Sequence, residues 1–506
     1  MNIVDFLINN SKYYPLHEAV VYKGRVYNWR EVFDEVELRV NLLNKSGFKQ
    51  GDRLAVLFLN SDEWLYMYFA VNWLGGIYVP LNYKWSKSEI IDSVEDCSPS
   101  LLLVDEENKD KVKDCRGVNI EIISDFLATD SNTSVLVPDV ISVDDGISSI
   151  FYTGGTTGKA KGVMLTHANI VSHAYRIIID EGLKNFSKHS HIAPLYHIAD
   201  AQFIAIITIL RGSHLFIPNF SELSTYVDDG YLNGSQTILV PTMISSLLDR
   251  DEGVRILSVF ERVFYGASPM NDSLLKFLIK RFSSTKFVQL YGQTEASPTL
   301  TILNSELHKV GNLDKGFMKS AGRPLIGTKI NIIDGEGNKC EINKPGQIVA
   351  QGGQIFNGYW NNKIQTDEAL CNGWLYTGDV GYEDEDGFIH VTDRIKDMII
   401  SGGENIYSVE VENVIFKLGG VKECAAVGIP DEKWGERVCV VIFLKENEEI
   451  SKREVQAHCI SYLPSFKCPK DIIFTSAELP KSGAGKILKN QIRNFSVDYL
   501  NSQNIN

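Results

Sequence analysis

Over the first 140 residues, short apolar runs alternate with stretches of helical pattern. Leu54-Ala55-Val56-Leu57-Phe58-Leu59 is continuously apolar, as a buried strand requires, and residues 63–73 follow it as a helix. That rhythm predicts βαβ units and a largely parallel sheet, and it continues through Ile238-Leu239-Val240-Pro241 and Arg262-Val263-Phe264-Tyr265-Gly266. From about residue 320 the runs become shorter, β-type and glycine-rich (329–333, 347–350, 388–392), which predicts a β-rich subdomain. After Asp393 a compact α+β pattern runs to the end, with glycine-rich joints at Ser401-Gly402-Gly403 and Ser482-Gly483-Ala484-Gly485. The acidic run Glu383-Asp384-Glu385-Asp386, before Gly387, reads as a solvated hairpin turn. The fold class is therefore α/β: a large N-terminal domain of mixed and parallel sheets flanked by helices, plus a β-rich subdomain and a small α+β C-terminal domain.

The chain has 506 residues, too many for one ordinary core, so at least two domains are expected. A hydrophobic content of 44% supports well-packed interiors, and the net charge of −14 argues against nucleic acid or an anionic membrane as the main partner. No apolar run reaches the length of a membrane span; the longest, 203–210, is interrupted by Thr208 and reads as buried core. The N-terminus lacks the basic start of a signal peptide, and the eight cysteines show no paired spacing. Both point to free thiols and a cytoplasmic protein.

The chemistry concentrates in Tyr152-Thr153-Gly154-Gly155-Thr156-Thr157-Gly158-Lys159-Ala160-Lys161-Gly162, which holds four glycines, three threonines and two lysines in eleven residues. Glycines bring backbone N–H groups close to phosphate oxygens; hydroxyls add donors and a magnesium ligand; lysines add charge. It is a polyphosphate-gripping loop but not a Walker A loop, since three residues separate Gly154 from Gly158 and Ala160 stands where Ser or Thr should follow the lysine.

This loop resembles the signature of the adenylate-forming superfamily, which contains acyl-CoA synthetases, luciferases and peptide-synthetase adenylation domains. Six further segments match its motifs in order, so the resemblance covers nearly the whole chain. They are Pro194-Leu195-Tyr196-His197, Tyr265-Gly266-Ala267-Ser268-Pro269, Gln289-Leu290-Tyr291-Gly292-Gln293-Thr294-Glu295, Tyr376-Thr377-Gly378-Asp379, the stretch from Asp393-Arg394-Ile395-Lys396-Asp397 to Gly402-Gly403, and Leu479-Pro480-Lys481-Ser482-Gly483-Ala484-Gly485-Lys486. Taken singly, His197 is a semi-buried histidine and Asp379 or Lys486 a solvated charge; seven ordered matches leave those readings little room. The loop departs from the common pattern only by Gly154 for serine and Ala160 for proline.

The resemblance implies an ATP- and Mg2+-dependent enzyme. Thr153, Gly154, Gly155, Thr156, Thr157, Gly158 and Lys161 hold the β- and γ-phosphates, and Thr157 and Glu295 the metal. Gly266, Ala267 and Ser268 line the adenine; Tyr291 stacks on it, Gln289 bonds its edge, Gly292 adjoins the nucleotide and Thr294 donates to the α-phosphate. Asp379 binds the ribose hydroxyls, Arg394 is a second nucleotide contact, and Lys486 bridges the incoming carboxylate and the α-phosphate. Lys396 is the pivot of a hinge at 393–397, between an N-terminal domain at 1–392 and a mobile C-terminal domain at 398–506. Coenzyme A is the implied co-substrate, passing Gly402 and Gly403 and clasped by Trp434, Phe466 and Lys470. For Trp434 a packing role at the domain surface weighs equally.

An α-amino acid is argued against, because relatives that take one place an aspartate where His197 stands. His197, Ile198, Thr242, Met243, Gly266 and Gly292 instead outline a mostly apolar acyl pocket, for a fatty or an aromatic acid. The favoured reading is an acid–CoA ligase. The alternative passes the acyl group to a carrier-protein thiol or an amine. A luciferase-like oxygenase is a third class, favoured by nothing in the sequence. Whether the chain works as a homodimer is left open.

Overall fold

The computed structural model describes residues 2–129, 138–141, 146–154, 160–268, 270–481 and 487–503. The chain divides into two compact units: 1–330 with 350–375, and 331–349 with 376–506.

The first unit holds two large sheets. The six-stranded sheet runs Asn119–Ile122, Leu101–Val104, Arg53–Leu57, Ile77–Pro80, Ile147–Thr153, Lys161–Thr166, parallel except for the last pair. The nine-stranded sheet is parallel through its centre, where Lys286–Gly292, Arg262–Gly266, Gln236–Leu239, Lys188–His191 and Ser213–Phe216 lie side by side. This is the parallel α/β architecture expected from the alternating pattern. Two helices are apolar almost all round and accordingly buried: Asp62–Trp73 and Ile198–Ile209, the latter containing most of the apolar run at 203–210. Among the described residues no helix is long and apolar enough to cross a membrane. The predicted strand at 238–241 is displaced: the strand is Gln236–Leu239, because Pro241 opens the helix Pro241–Leu248, where its missing N–H costs nothing.

In the second unit, Gly435–Leu444 is central, pairing antiparallel with Val421–Asp431 and parallel with Asp471–Thr475, while Ile399–Ser401 and Glu404–Ile406 extend the sheet. Separate apolar clusters, one around Val440 and Val411 and one around Val441 and Ile492, cover its two faces. The hairpin of Trp374–Glu383 with Ile389–Arg394 closes through the acidic turn, where Asp384 Oδ1 accepts the N–H groups of Asp386 and Phe388.

Candidate active site

The strands Ile147–Thr153 and Lys161–Thr166 pair in register Thr153↔Lys161, so the two ends of the phosphate-type loop are held together. Thr153, Gly154 and Lys161 are described; Gly155, Thr156, Thr157 and Gly158 lie outside the described residues. Gly154 has open space around its Cα, as close approach of a ligand to the backbone requires. Beyond the loop, the returning strand is flanked by residues 357–360: Met164 N–H donates to Gly358 O (3.0 Å) and Trp360 N–H to Gly162 O (2.7 Å). That pairing puts the Tyr359 ring under the Lys161 ammonium, 5.0 Å from its centroid, and lets the Tyr359 hydroxyl donate to Glu295 Oε1 at 2.7 Å. Glu295 is buried, and its own carbonyl accepts the Phe356 N–H at 2.8 Å. The loop's lysine and the predicted metal carboxylate are thus joined through Tyr359, which no sequence motif singled out.

Four neighbouring parallel strands carry further candidate residues at their carboxyl ends, the edge where open α/β sheets bind ligands. Lys188–His191 leads to His197 and Ile198, Gln236–Leu239 to Thr242 and Met243, Arg262–Gly266 to Ala267 and Ser268, and Lys286–Gly292 to Thr294 and Glu295. Residues separated by about a hundred positions in the chain therefore share one sheet edge. Pro269, the last residue of its motif, lies outside the described residues. His197 caps the Ile198–Ile209 helix, its ring 5.6 Å from that of Tyr196, which in turn meets Tyr83 edge-on at 5.0 Å. Met243 is half-buried against the core and Thr242 is exposed.

Gly266, in the turn expected to line the adenine, is required by packing. A Cβ on Gly266 would stand 2.2 Å from the Leu290 carbonyl oxygen of the next strand, and the following Ala267 already sits at φ +65°. Gly266→Ala should therefore cost about 1–3 kcal/mol and weaken AMP binding. Thermal unfolding with and without AMP checks this: a lower midpoint and a smaller AMP-induced rise are expected, and an unchanged AMP-induced rise contradicts it.

Gln289 lies beside Tyr265 in register. His308 Nδ1 is 3.0 Å from Asn304 O, so it carries the proton and leaves Nε2 to accept the Tyr265 hydroxyl at 2.8 Å. Tyr265 has one proton to give, which leaves Gln289 Oε1, 3.4 Å away, for an outside donor such as a purine amine.

Below the Ile198–Ile209 helix lies a fully buried polar cluster. Asp200 Oδ1 accepts from His189 Nε2 at 2.8 Å and His191 Nδ1 at 2.9 Å, and His191 Nε2 is 3.1 Å from His214 Nδ1. His189, His191 and Asp200 are the one group of potential metal ligands found among the described residues, yet the atoms concerned already bond one another. The cluster braces the helix whose first residue was assigned to the acyl pocket.

Burial pushes the imidazoles down, His167, His189 and His308 to about 4 and His173 and His191 to about 3. Above the ordinary histidine value, near pH 6.5, neither folded nor unfolded chain holds these protons. As pH falls toward about 4 the unfolded chain binds protons that the folded chain refuses, so stability is lost in that window, at about 1.4 kcal/mol per pH unit for each group. Carboxyls raised by burial (Asp62, to about 7, with Asp200, Glu412, Asp180 and Glu37) act with the opposite sign, but six imidazoles, His214 among them, outnumber them. The unfolding midpoint should fall steadily between about pH 6.5 and about pH 4.5; a flat midpoint there contradicts the neutral-histidine assignment.

In the second unit, Asp379 and Arg394 face each other across the hairpin and form an ion pair, Arg394 Nε to Asp379 Oδ1, of 3.0 Å. Lys396 sits in the short helical turn Ile395–Asp397 after that strand. Gly402 and Gly403 are the two-residue loop between Ile399–Ser401 and Glu404–Ile406, both at positive φ (62° and 85°), the conformation a tight hairpin needs. Gly402 N–H donates to Trp434 O at 2.8 Å, and a Cβ on Gly402 would meet the Trp434 ring at 2.7 Å. These two sequence candidates are therefore in contact, while Trp434 and Phe466 stay substantially exposed. Lys470 is exposed, its backbone N–H bonded to Val438 O. Lys486 lies outside the described residues. The loop that carries it is closed at its base by the Lys481↔Ile487 bridge, with Leu488 N–H on Pro480 O at 2.8 Å and Lys481 paired with Glu423.

A glycine- and threonine-rich hairpin loop linked to a buried carboxylate, beside the carboxyl edge of a parallel sheet, is the arrangement the motifs of an adenylate-forming enzyme call for. The chain belongs to the AMP-binding enzyme family: that family's model matches residues 8–360, and the AMP-binding enzyme C-terminal domain matches 410–486. It is 30% identical over 492 residues to a feruloyl-CoA synthase of Amycolatopsis sp, covering 96% of this chain and 97% of that one. It is 28% identical to the fatty acid–[acyl-carrier-protein] ligase ScoC of Streptomyces coeruleorubidus, covering 96% of each chain. Among solved structures, o-succinylbenzoate CoA synthetase from Bacillus subtilis, in complex with its acyl-adenylate, superposes with a TM-score of 0.86 at 27% identity, over 96% of this chain and 97% of that one. The superfamily resemblance, the fold class and the assignment as an acid–thiol ligase are borne out.

Proposed function

We propose that the enzyme activates a fatty or aromatic carboxylic acid as its acyl-adenylate and passes the acyl group to the thiol of coenzyme A. The observation that carries this reading is the shared sheet edge, which gathers His197, Ile198, Gly266, Gly292, Thr294 and Glu295 next to the hairpin ending in Thr153 and Lys161. A carboxylate resists attack because of its charge and its poor leaving group. In the first step one carboxylate oxygen bonds the α-phosphorus of ATP and pyrophosphate leaves. In the second the thiol attacks the acyl carbon, AMP leaves and the thiol proton is released. Catalysis of the first step is positioning and charge neutralisation.

Each residue role remains the one assigned by motif. The loop threonines and Lys161 hold the β- and γ-phosphates, and Thr157 and Glu295 would hold a Mg2+, which would supply charge neutralisation there. Tyr291, Gln289 and Thr294 place the adenine and α-phosphate; Asp379 holds the ribose and Arg394 makes a second nucleotide contact. His197 meets the acid, and Lys486 bridges carboxylate and α-phosphate. The hinge at 393–397, with Lys396 as pivot, lets the domain at 398–506 withdraw Lys486 and admit the thiol past Gly402 and Gly403.

A carrier-protein thiol is the second reading, which the ScoC relative makes worth testing although the other relatives are CoA ligases. The test is a mass-spectrometric panel of fatty and aromatic acids with ATP, Mg2+ and CoA. Equimolar AMP and acyl-CoA from one class of acid is the expected result. AMP formed without acyl-CoA would overturn CoA as acceptor, and no AMP from any acid would overturn adenylation.

A further inference from the structure

One small cavity in the first unit is bounded by the Ile147–Thr153 strand and by the helices Asp62–Trp73, His167–Glu181 and Ile198–Ile209. Its volume is about 10 Å³, room for a single oxygen atom with its hydrogens. Apolar walls come from Trp64, Phe151 and Ile198. Five polar side chains also line it: the Tyr68 hydroxyl is paired with Ser148 Oγ and Ser297 Oγ donates to Gln354 O, while the other three, Ser149, His173 and Gln202, are 0%, 1% and 4% exposed. Ser149 Oγ, His173 Nε2 and Gln202 Oε1 have no hydrogen-bond partner among the described residues. Three orphaned polar atoms around one cavity would together cost several kcal/mol if nothing occupied it.

Their chemistry specifies the occupant. Gln202 Nε2 donates to Ala199 O at 2.6 Å, so its free atom is the carbonyl oxygen, which only accepts. Ser149 Oγ both donates and accepts. His173 is neutral at ordinary pH, so Nε2 takes one role or the other by tautomer. The occupant must donate one hydrogen bond and can accept another: an O–H fits. A methyl ether has no proton to give Gln202, and an ion would lie buried with no opposite charge around it.

Ile198, already assigned to the acyl pocket, lines this cavity too, and Gln202 follows it by one helical turn on the same face. We propose that the cavity is a specificity subsite for a hydroxyl carried by the acyl substrate, remote from its carboxylate, held by Gln202, Ser149 and His173. This rests on the acid-ligase reading above. Water is the other source of the same chemistry, and the experiment separates the two.

Adenylation kinetics should be compared for benzoates, cinnamates and fatty acids in matched sets that differ only by a hydroxyl, a methyl ether or hydrogen at one position. In at least one set the hydroxy acid should show a kcat/KM at least about tenfold above both analogues, because a site built around an O–H leaves its polar atoms unpaired when the group is missing. In Gln202→Met and Ser149→Ala, two variants whose folding is checked by thermal unfolding, that ratio should collapse to within about threefold of one. Ratios near one in the wild-type enzyme would mean that the cavity holds only water, and would overturn the proposal. So would a wild-type preference that survives in both variants. No AMP from any acid would overturn the ligase reading itself, and this inference with it.

Discussion

Lys486→Ala is expected to slow acyl-adenylate formation by about 10²–10³-fold while leaving thioester formation from supplied acyl-adenylate and CoA within about threefold of wild type. The first step brings a carboxylate against a phosphate, two anions in a site that excludes water, and a cation between them acts most strongly as the new bond forms. A loss of that size corresponds to about 3–4 kcal/mol of transition-state stabilisation. The second step has no such encounter, because the thiol attacks a neutral acyl carbon. The segment that carries Lys486 is closed by the Lys481↔Ile487 bridge and by Lys481 on Glu423, contacts that do not involve the Lys486 side chain. Single-turnover rates of the two half-reactions decide the matter; equal losses in both would contradict the assigned role.

Glu295→Gln should lower adenylation by about a hundredfold or more and raise the Mg2+ concentration needed for half-maximal rate, since the amide keeps the shape but loses the charge that a hard cation requires. Tyr359→Phe removes the 2.7 Å hydrogen bond to Glu295 while keeping the ring beneath Lys161, and a smaller effect, about tenfold, is expected. The comparison separates metal binding from carboxylate orientation. Rates measured against Mg2+ concentration for the two variants provide the check: an unchanged Mg2+ requirement in Glu295→Gln would remove it from the metal site.

What the sequence made legible was local or ordered. A glycine-threonine-lysine cluster between two apolar runs announces a loop, and seven motifs in order announce a superfamily, because each is written within a dozen residues. The βαβ rhythm is legible for the same reason. What could not be read depends on chain segments that meet only after folding. Tyr359 reaches Glu295 because residues 357–360 lie along the Lys161–Thr166 strand. His308 fixes Tyr265 from 43 positions away, and Asp200 gathers two imidazoles from the facing strand. His189 and His191 do alternate in the sequence, the one local hint of that cluster. The three orphaned polar atoms around the small cavity come from three separate elements. The glycine pair at 402 and 403 was legible as a special backbone position, while its tight hairpin and its contact with Trp434 needed the fold.

The central claim is that a carboxylate oxygen bonds the α-phosphorus of ATP, and heavy-oxygen labelling tests it most directly. An acid identified by the panel, labelled in both carboxylate oxygens, would be turned over with unlabelled ATP and the thiol acceptor, and the products analysed by mass spectrometry. One labelled oxygen in AMP, one retained in the thioester and none in pyrophosphate is the result expected of an acyl-adenylate. Label in pyrophosphate or inorganic phosphate, or unlabelled AMP beside labelled thioester, would contradict it.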